Sequence, residues 1–285
     1  MFDIFRSRLE LKGTLTTVTA LRISQGRSTE PIGSDLPVVK DALGRPLIPG
    51  SSFKGALRSR LESFLRGIDP SFADDPSSLT SPDSMNAIKA LKERYEDDAV
   101  LTQEILKQTD FASRLFGSPW VASKFQVRDL TVQPEAWFGQ YQERDGVSID
   151  RDTETASDGK LYDFQVVPAG TPFEFQAVVE NAEDWELGLL MIGLHQFETE
   201  QIPLGGGRSR GLGVVRLEID QMGWFDYPED QPNQLLEYLQ RLLNNQKDHY
   251  LCSPERMTAL KQDWTEALIT HLRTPTTDTT TSATL

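Results

Sequence analysis

Two separated stretches of this 285-residue chain are suited to gripping phosphates. The first is Gly50-Ser51-Ser52-Phe53-Lys54 with Arg58. It reads as a helix start with Ser51 or Ser52 as N-cap, where free N–H groups, hydroxyls and the helix dipole favour an anion. Lys54 and Arg58 stand four apart and share a helix face, in register for successive phosphates of a nucleic-acid backbone. The second is Gly205-Gly206-Gly207-Arg208-Ser209-Arg210-Gly211-Leu212-Gly213. Its glycines admit a close approach of backbone to phosphate, and Arg208 and Arg210 supply forked donors. Blander readings fit the same spacings: a capped, solvated helix with snorkelling bases, and a flexible turn between helix and strand. Neither stretch is a nucleotide loop. No Gly-Lys-Ser/Thr follows Gly50 at the required spacing, and Arg210 stands where a dinucleotide fingerprint needs a third glycine.

The elements that must position these segments follow from periodicity. Residues 9–23 read as a bent strand and 37–41 as a short one. Phe53, Leu57, Leu61, Phe64 and Leu65 form the apolar stripe of a helix that Gly67 would end. Residues 68–110 are a polar, acidic insertion with one or two surface helices over 84–107. Residues 125–132 alternate like a strand. A long excursion, 133–163, carries Trp137, Phe138 and Tyr141. Strands over 161–167 and 173–179 flank a hairpin-like connection, and an apolar helix spans 184–197. A strand over 214–219 follows the glycines, then helices over 231–246 and 254–272.

This order predicts an α+β fold: a ferredoxin-like, RRM-like βαββαβ core carrying large insertions, of the kind that often binds RNA on an open sheet face. The boundaries are 1–219 for the core domain with insertions at 68–110 and 133–163, 220–273 for a helical C-terminal extension, and 274–285 for a Thr/Ser-rich disordered tail.

A net charge of −14 argues against a nucleic-acid partner until its distribution is considered. The acid is concentrated in 69–110 and after 220, whereas 45–66 holds five bases and one acid, and 205–216 holds Arg208, Arg210 and Arg216 with no acid. No apolar run predicts a membrane span or secretory signal, and Cys252, the only cysteine, fits a reducing, cytoplasmic setting. The three histidines lie far apart and no zinc spacing occurs; His195 reads as a core or interface histidine and Cys252 as an incidental thiol.

Four segments carry a resemblance. Asp35-Leu36-Pro37-Val38-Val39-Lys40-Asp41, followed by Pro46 to Gly55 and Arg58, resembles the N-terminal signature of the RAMP backbone subunits of type III CRISPR effector complexes. Leu115-Phe116-Gly117 with Val127-Arg128-Asp129 is similar to their next block, Val147 to Arg151 with Tyr162-Asp163 to a third, and the glycine-rich stretch to their C-terminal motif. The resemblance covers roughly residues 9–219 and leaves 68–110 and everything past 220 unmatched.

It implies a subunit that repeats along a CRISPR guide RNA, with target single-stranded RNA and other effector subunits as partners and no membrane. A thumb hairpin would kink the guide–target duplex; the excursion 133–163 is the candidate, with Trp137, Phe138 and Tyr141 as wedges. In cutting members a single loop aspartate cleaves target RNA with a divalent cation such as Mg2+. Asp35 matches that position and would hold the ion only with RNA bound; the residues alone favour an Asx-turn residue, and the resemblance is what assigns the catalytic role. The alternatives are a non-catalytic structural subunit of the same complex, and a stand-alone guide-processing ribonuclease. The latter often uses histidine, and this chain has none before His195.

Overall fold

The computed structural model describes residues 4–27, 34–150, 155–228 and 230–273, with backbone only for 147–150 and 155–161. The expected disordered tail lies outside the described residues. The core sheet contains β1 (Ser7–Thr17), β3 (Phe125–Val127), β7 (Pro172–Glu180) and β8 (Val215–Asp226), in the order β3-β7-β1-β8 with every pairing antiparallel. Two helices, α1 (Gly50–Ile68) and α6 (Asp184–Glu198), make the crossovers. Strand, helix, two strands, helix and strand, with the first strand inside the sheet, is the split βαββαβ arrangement of ferredoxin-like domains. The fold expected from the sequence is the fold found.

Alternation explains why these segments pair. Leu9, Leu11 and Leu15 of β1, and Phe173, Phe175, Ala177 and Val179 of β7, all point to one buried face. Against it lies the stripe Phe53, Leu57, Leu61 and Leu65 of α1; the Phe53 ring sits 5.2 Å from Phe175 and 4.4 Å from Phe197 of α6. Phe64 does not join this stripe; it faces outward beneath the Arg60 guanidinium. Truncating a fully buried stripe residue such as Leu57 to alanine would cost about 2–5 kcal/mol.

α6 is apolar nearly all round because it has neighbours on two sides. Gly193 meets Leu57 and Leu61 of α1. Gly188 leaves the space in which α8 (Pro254–Arg273) approaches; a Cβ there would collide with the Trp264 carbonyl. Trp264 and Leu268 of α8 are buried in the same core.

The last strand runs past the expected stop at Ile219, to Asp226. Lys12 pairs with Gln221 and Gly13 with Ile219, so Asp220 is an extra residue at a register shift. Such a bulge reverses the alternation that sequence reading depends on. α7 (Pro232–Leu243) then folds onto the strand's end, where Tyr238 stacks on Phe225 at 4.0 Å.

The 68–110 insertion forms α2 (Pro76–Leu79), α3 (Pro82–Arg94) and α4 (Asp98–Lys107), leading to α5 (Phe111–Phe116). Asp75, Ser81, Asp97 and Asp110 cap these four helices through their side chains. The excursion is a long antiparallel hairpin, β5 (Gln142–Asp150) with β6 (Thr155–Val166); the Tyr162 ring fills the space that Gly146 leaves open. β6 does not pair with β7 in a hairpin as expected. The turn between them is held by β1, with the Gly170 N–H donating to the Thr17 carbonyl. A small pair, β2 (Leu47–Ile48) with β4 (Leu130–Thr131), leads directly into α1.

Candidate functional site

The two phosphate-gripping candidates sit in different environments. The N-terminus of α1 is already occupied by the protein itself. Its N-cap is Pro49, and Ser51 and Ser52 lie in the first turn without capping it. The Gly50 N–H donates to the Asp129 carboxylate at 2.8 Å, and those of Ser52 and Phe53 donate to the Pro49 carbonyl. Gly50 is needed there because a Cβ would press on the Val127 and Arg128 carbonyls. The helix also continues through Gly67 to Ile68. An intramolecular carboxylate therefore takes the place foreseen for an RNA phosphate.

Lys54 and Arg58 share a face as their spacing requires, but that face is turned to the 113–125 segment. The Lys54 ammonium donates to Ser123 Oγ at 2.6 Å and to the Phe125 carbonyl at 3.2 Å. Burial, then the nearby Arg58 charge, push the Lys54 pKa down. Arg58 donates to Glu62 at 2.6 Å, to the Gly117 carbonyl at 2.7 Å and to Ser113 Oγ at 3.1 Å. Glu62 is only 4% exposed and also meets Arg66 at 3.5 Å. The remaining bases of this region are similarly engaged: Arg45 with Asp41, and Arg60 with Gln196.

The glycine-rich segment is the opposite case. Arg208, Ser209 and Arg210 are exposed on a single 3-10 turn between Gly207 and Gly211, and neither arginine has a carboxylate partner among the described residues. The turn is pinned from beneath. The Gly206 N–H donates to the Arg22 carbonyl at 2.8 Å and the Gly213 N–H to the Ala20 carbonyl at 2.9 Å. Gly205, at φ +75°, packs so closely on Arg22 that any Cβ would strike its carbonyl oxygen.

That contact starts a ladder of short extended segments. Residues 20–25 support the glycine turn on one side and pair with 36–39 on the other, through Ser24 with Val38 and the Val39 N–H to the Ile23 carbonyl at 2.9 Å. The Leu47 N–H then reaches the Val39 carbonyl at 3.2 Å, and β2 pairs with β4. The ladder thus links the glycine turn to the start of α1. The base of β6 joins it twice, at Leu21 with Val167 and at Leu36 with Phe164. The Arg22 guanidinium lies 4.5 Å from the Phe164 ring centre, a third basic group beside the turn.

Asp35 stands at the edge of this ladder, half-buried, one residue before the Leu36 bridge. Its N–H donates to Asp163 Oδ1 at 2.8 Å. Among the described residues, no group of three His, Cys, Asp or Glu side chains could hold a metal ion. A divalent cation held at Asp35 would have to complete its shell with RNA oxygens and water, which suits Mg2+.

The three wedge candidates separate. Trp137 and Tyr141 pack on each other at 4.9 Å beside the core; the Tyr141 hydroxyl donates to the Gly44 carbonyl at 2.7 Å, and Lys40 lies over its ring. Burial pushes the Tyr141 pKa up to about 12. Tyr141 fastens the excursion to the 41–46 turn, with Trp137 packed on its ring. Phe138 is 85% exposed and precedes the hairpin. The hairpin tip, including Val147 to Arg151, falls where side chains or backbone are not described.

The open sheet face carries both signs: Glu10, Glu174, Glu180 and Glu218 stand among Arg8, Lys12 and Arg216, and Arg216 is paired with Glu200. Arg8 is paired with Glu10 at 2.7 Å and Glu180 at 2.5 Å, and α7 with the 247–251 turn covers the β1–β8 end. His195 is not a core residue; it is exposed and bonded to Glu198 at 2.9 Å. No described helix is long and apolar enough to cross a membrane.

Sequence reasoning gave no role to Asp129, Asp163 or Arg22. The first two lie inside quoted blocks, but their partners are 79 and 128 residues away.

Comparison with known proteins fits this geometry. The chain is 26% identical over 218 residues to the "CRISPR system Cms endoribonuclease Csm3" of Enterococcus italicus, covering 76% of this chain and 92% of that protein. It is 28% identical over 219 residues to the protein of the same name from Methanocaldococcus jannaschii, covering 74% and 79%. Over 57 residues it is 47% identical to the namesake from Mycobacterium tuberculosis, covering 19% and 24%. The model of the RAMP superfamily matches residues 14–216, from within β1 to within β8. With that match spanning the βαββαβ core and the glycine turn, the chain belongs to the RAMP superfamily.

Proposed function

We propose that this chain is a guide-RNA-binding backbone subunit of a type III CRISPR effector complex, and that it cuts the complementary target RNA at Asp35. The observation that carries the reading is the ladder. It brings Asp35, Arg22, the base of the β5–β6 hairpin and the exposed Arg208–Arg210 turn into one continuous strip of backbone. The resemblance to named endoribonucleases over three quarters of the chain supports the same chemistry.

In this reading the arginine turn grips phosphates and the hairpin is the thumb. Sequence specificity comes from base pairing, with the protein following the shape and backbone of the duplex. RNA carries its own nucleophile, the 2′-hydroxyl, so the chain need not supply a serine or cysteine. Asp35 would hold a divalent cation once RNA is bound, and that ion would supply charge to offset the phosphate and make the 2′-hydroxyl easier to deprotonate. Target RNA, guide RNA and neighbouring effector subunits are the partners.

Asp35→Ala in the assembled complex should leave guide loading and assembly unchanged and abolish cutting at this subunit's position with Mg2+ present. Continued cleavage there would refute the assignment. A non-catalytic structural subunit of the same complex is the second reading. For such a subunit the wild-type complex itself would leave the target intact at this position.

A further inference from the structure

We propose that Asp163 is a positioning residue for Asp35, acting through the hydrogen bond it accepts from the Asp35 main-chain N–H. This rests on the reading of Asp35 given above. Leu36 is the last ladder residue before Asp35: its N–H donates to the Asp163 carbonyl at 3.2 Å, and its carbonyl accepts from the Gln165 N–H at 3.1 Å. Among the described residues, main-chain pairing with β6 ends at Leu36. The Asp163 carboxylate extends the hold by one residue, to the Asp35 N–H at 2.8 Å. Ser34, on the other side of Asp35, is buried, and its hydroxyl has no partner among the described residues. Among the described residues, Asp163 is therefore the side chain that holds the Asp35 backbone.

The platform beneath Asp163 is suited to this task. Asp163 is paired with Asp145 of β5 across the hairpin and with Leu36 on its other edge, so its backbone is fixed from both sides. A charged acceptor bonds an N–H about twice as strongly as a neutral one. No cation among the described residues pairs with Asp163.

The test uses the assembled complex, with single-turnover cleavage of target RNA, Mg2+ titration and amide exchange at Asp35. Asp163→Ala should slow cleavage by about 10- to 100-fold, as expected for a reacting group displaced by the order of an ångström. Guide and target affinity, and the half-saturating Mg2+ concentration, should stay at their wild-type values. Asp35 amide exchange should accelerate. Asp163→Asn keeps an acceptor oxygen and should restore cleavage to within about 3-fold of wild type, with a protected amide. If the alanine variant fails to assemble, Asp163→Asn and the exchange measurement on the wild-type complex carry the test alone.

Wild-type cleavage in Asp163→Ala would overturn the inference. So would an asparagine variant as slow as the alanine one, or a rate recovered by excess Mg2+, which marks a metal ligand instead. Asp35→Ala run in parallel separates the failures. If it is inert while Asp163→Ala cuts normally, only this inference falls; if it cuts normally, the underlying reading of Asp35 falls first.

Discussion

The two basic regions of this chain look alike in composition and differ in what their charges do. On α1 and in the turn before it, Arg45, Lys54, Arg58, Arg60 and Arg66 are each bonded to protein acceptors. On the glycine turn, Arg208 and Arg210 project into solvent without a carboxylate partner among the described residues. A cation bound to its own protein must break those bonds to reach a phosphate, whereas a free one gives up only hydration. Density of positive charge in a sequence therefore measures potential partners, and only geometry tells whether these are internal.

The largest expected effect lies on α1 and is structural. Arg58→Ala leaves the Glu62 carboxylate buried with Arg66 alone, and frees the Gly117 carbonyl and Ser113 hydroxyl. A loss of about 2–3 kcal/mol follows, discounted because Arg58 is partly exposed. In calorimetry the midpoint should fall by roughly 5 °C or more. An unchanged midpoint would mean that the α1 cations are as free as those of the turn.

Next comes the glycine turn. Arg208→Ala with Arg210→Ala should weaken guide RNA binding by roughly 10-fold at moderate salt. It should also make the dependence of log affinity on log salt shallower by about 1 to 2. The melting temperature should not move, and a drop comparable to that of Arg58→Ala would erase the contrast.

The smallest effect is at Lys54, whose proton is disfavoured in the folded state by burial. The native form then binds that proton less readily than the unfolded form. The resulting penalty is fully present below the lowered native pKa and disappears as pH rises through it towards the ordinary lysine value. Wild-type stability should therefore rise relative to Lys54→Met between neutral and strongly alkaline pH, in parallel denaturant titrations. A pH-independent difference would place Lys54 in open solvent.

What the sequence disclosed and concealed follows the range of the interactions involved. The apolar periodicities of β1, β7, α1 and α6 are local patterns, and they sufficed for the βαββαβ order. The glycine turn was legible because its conformation is written in adjacent residues. The cap of α1 was misjudged because a local serine was available while the true acceptor, Asp129, arrives from a distant turn. Lys54 and Arg58 were placed on the right helix face, yet the 113–125 segment that engages them could not be foreseen from i,i+4 spacing. Trp137 and Tyr141 have the chemistry of a wedge, but the hydrogen bond of Tyr141 to Gly44 and the packing of Trp137 on Tyr141 are tertiary facts that residue type could not disclose.

The packing of α8 on α6 at Gly188 bears on how the molecule comes into being. During translation α6 leaves the ribosome before α8 has been made, so its outward flank must wait, uncovered, for some 55 further residues. Over that interval the nascent chain exposes a greasy helix that chaperones can hold and that neighbouring nascent chains can stick to. Slowing elongation between residues 200 and 253 should therefore lower the soluble yield.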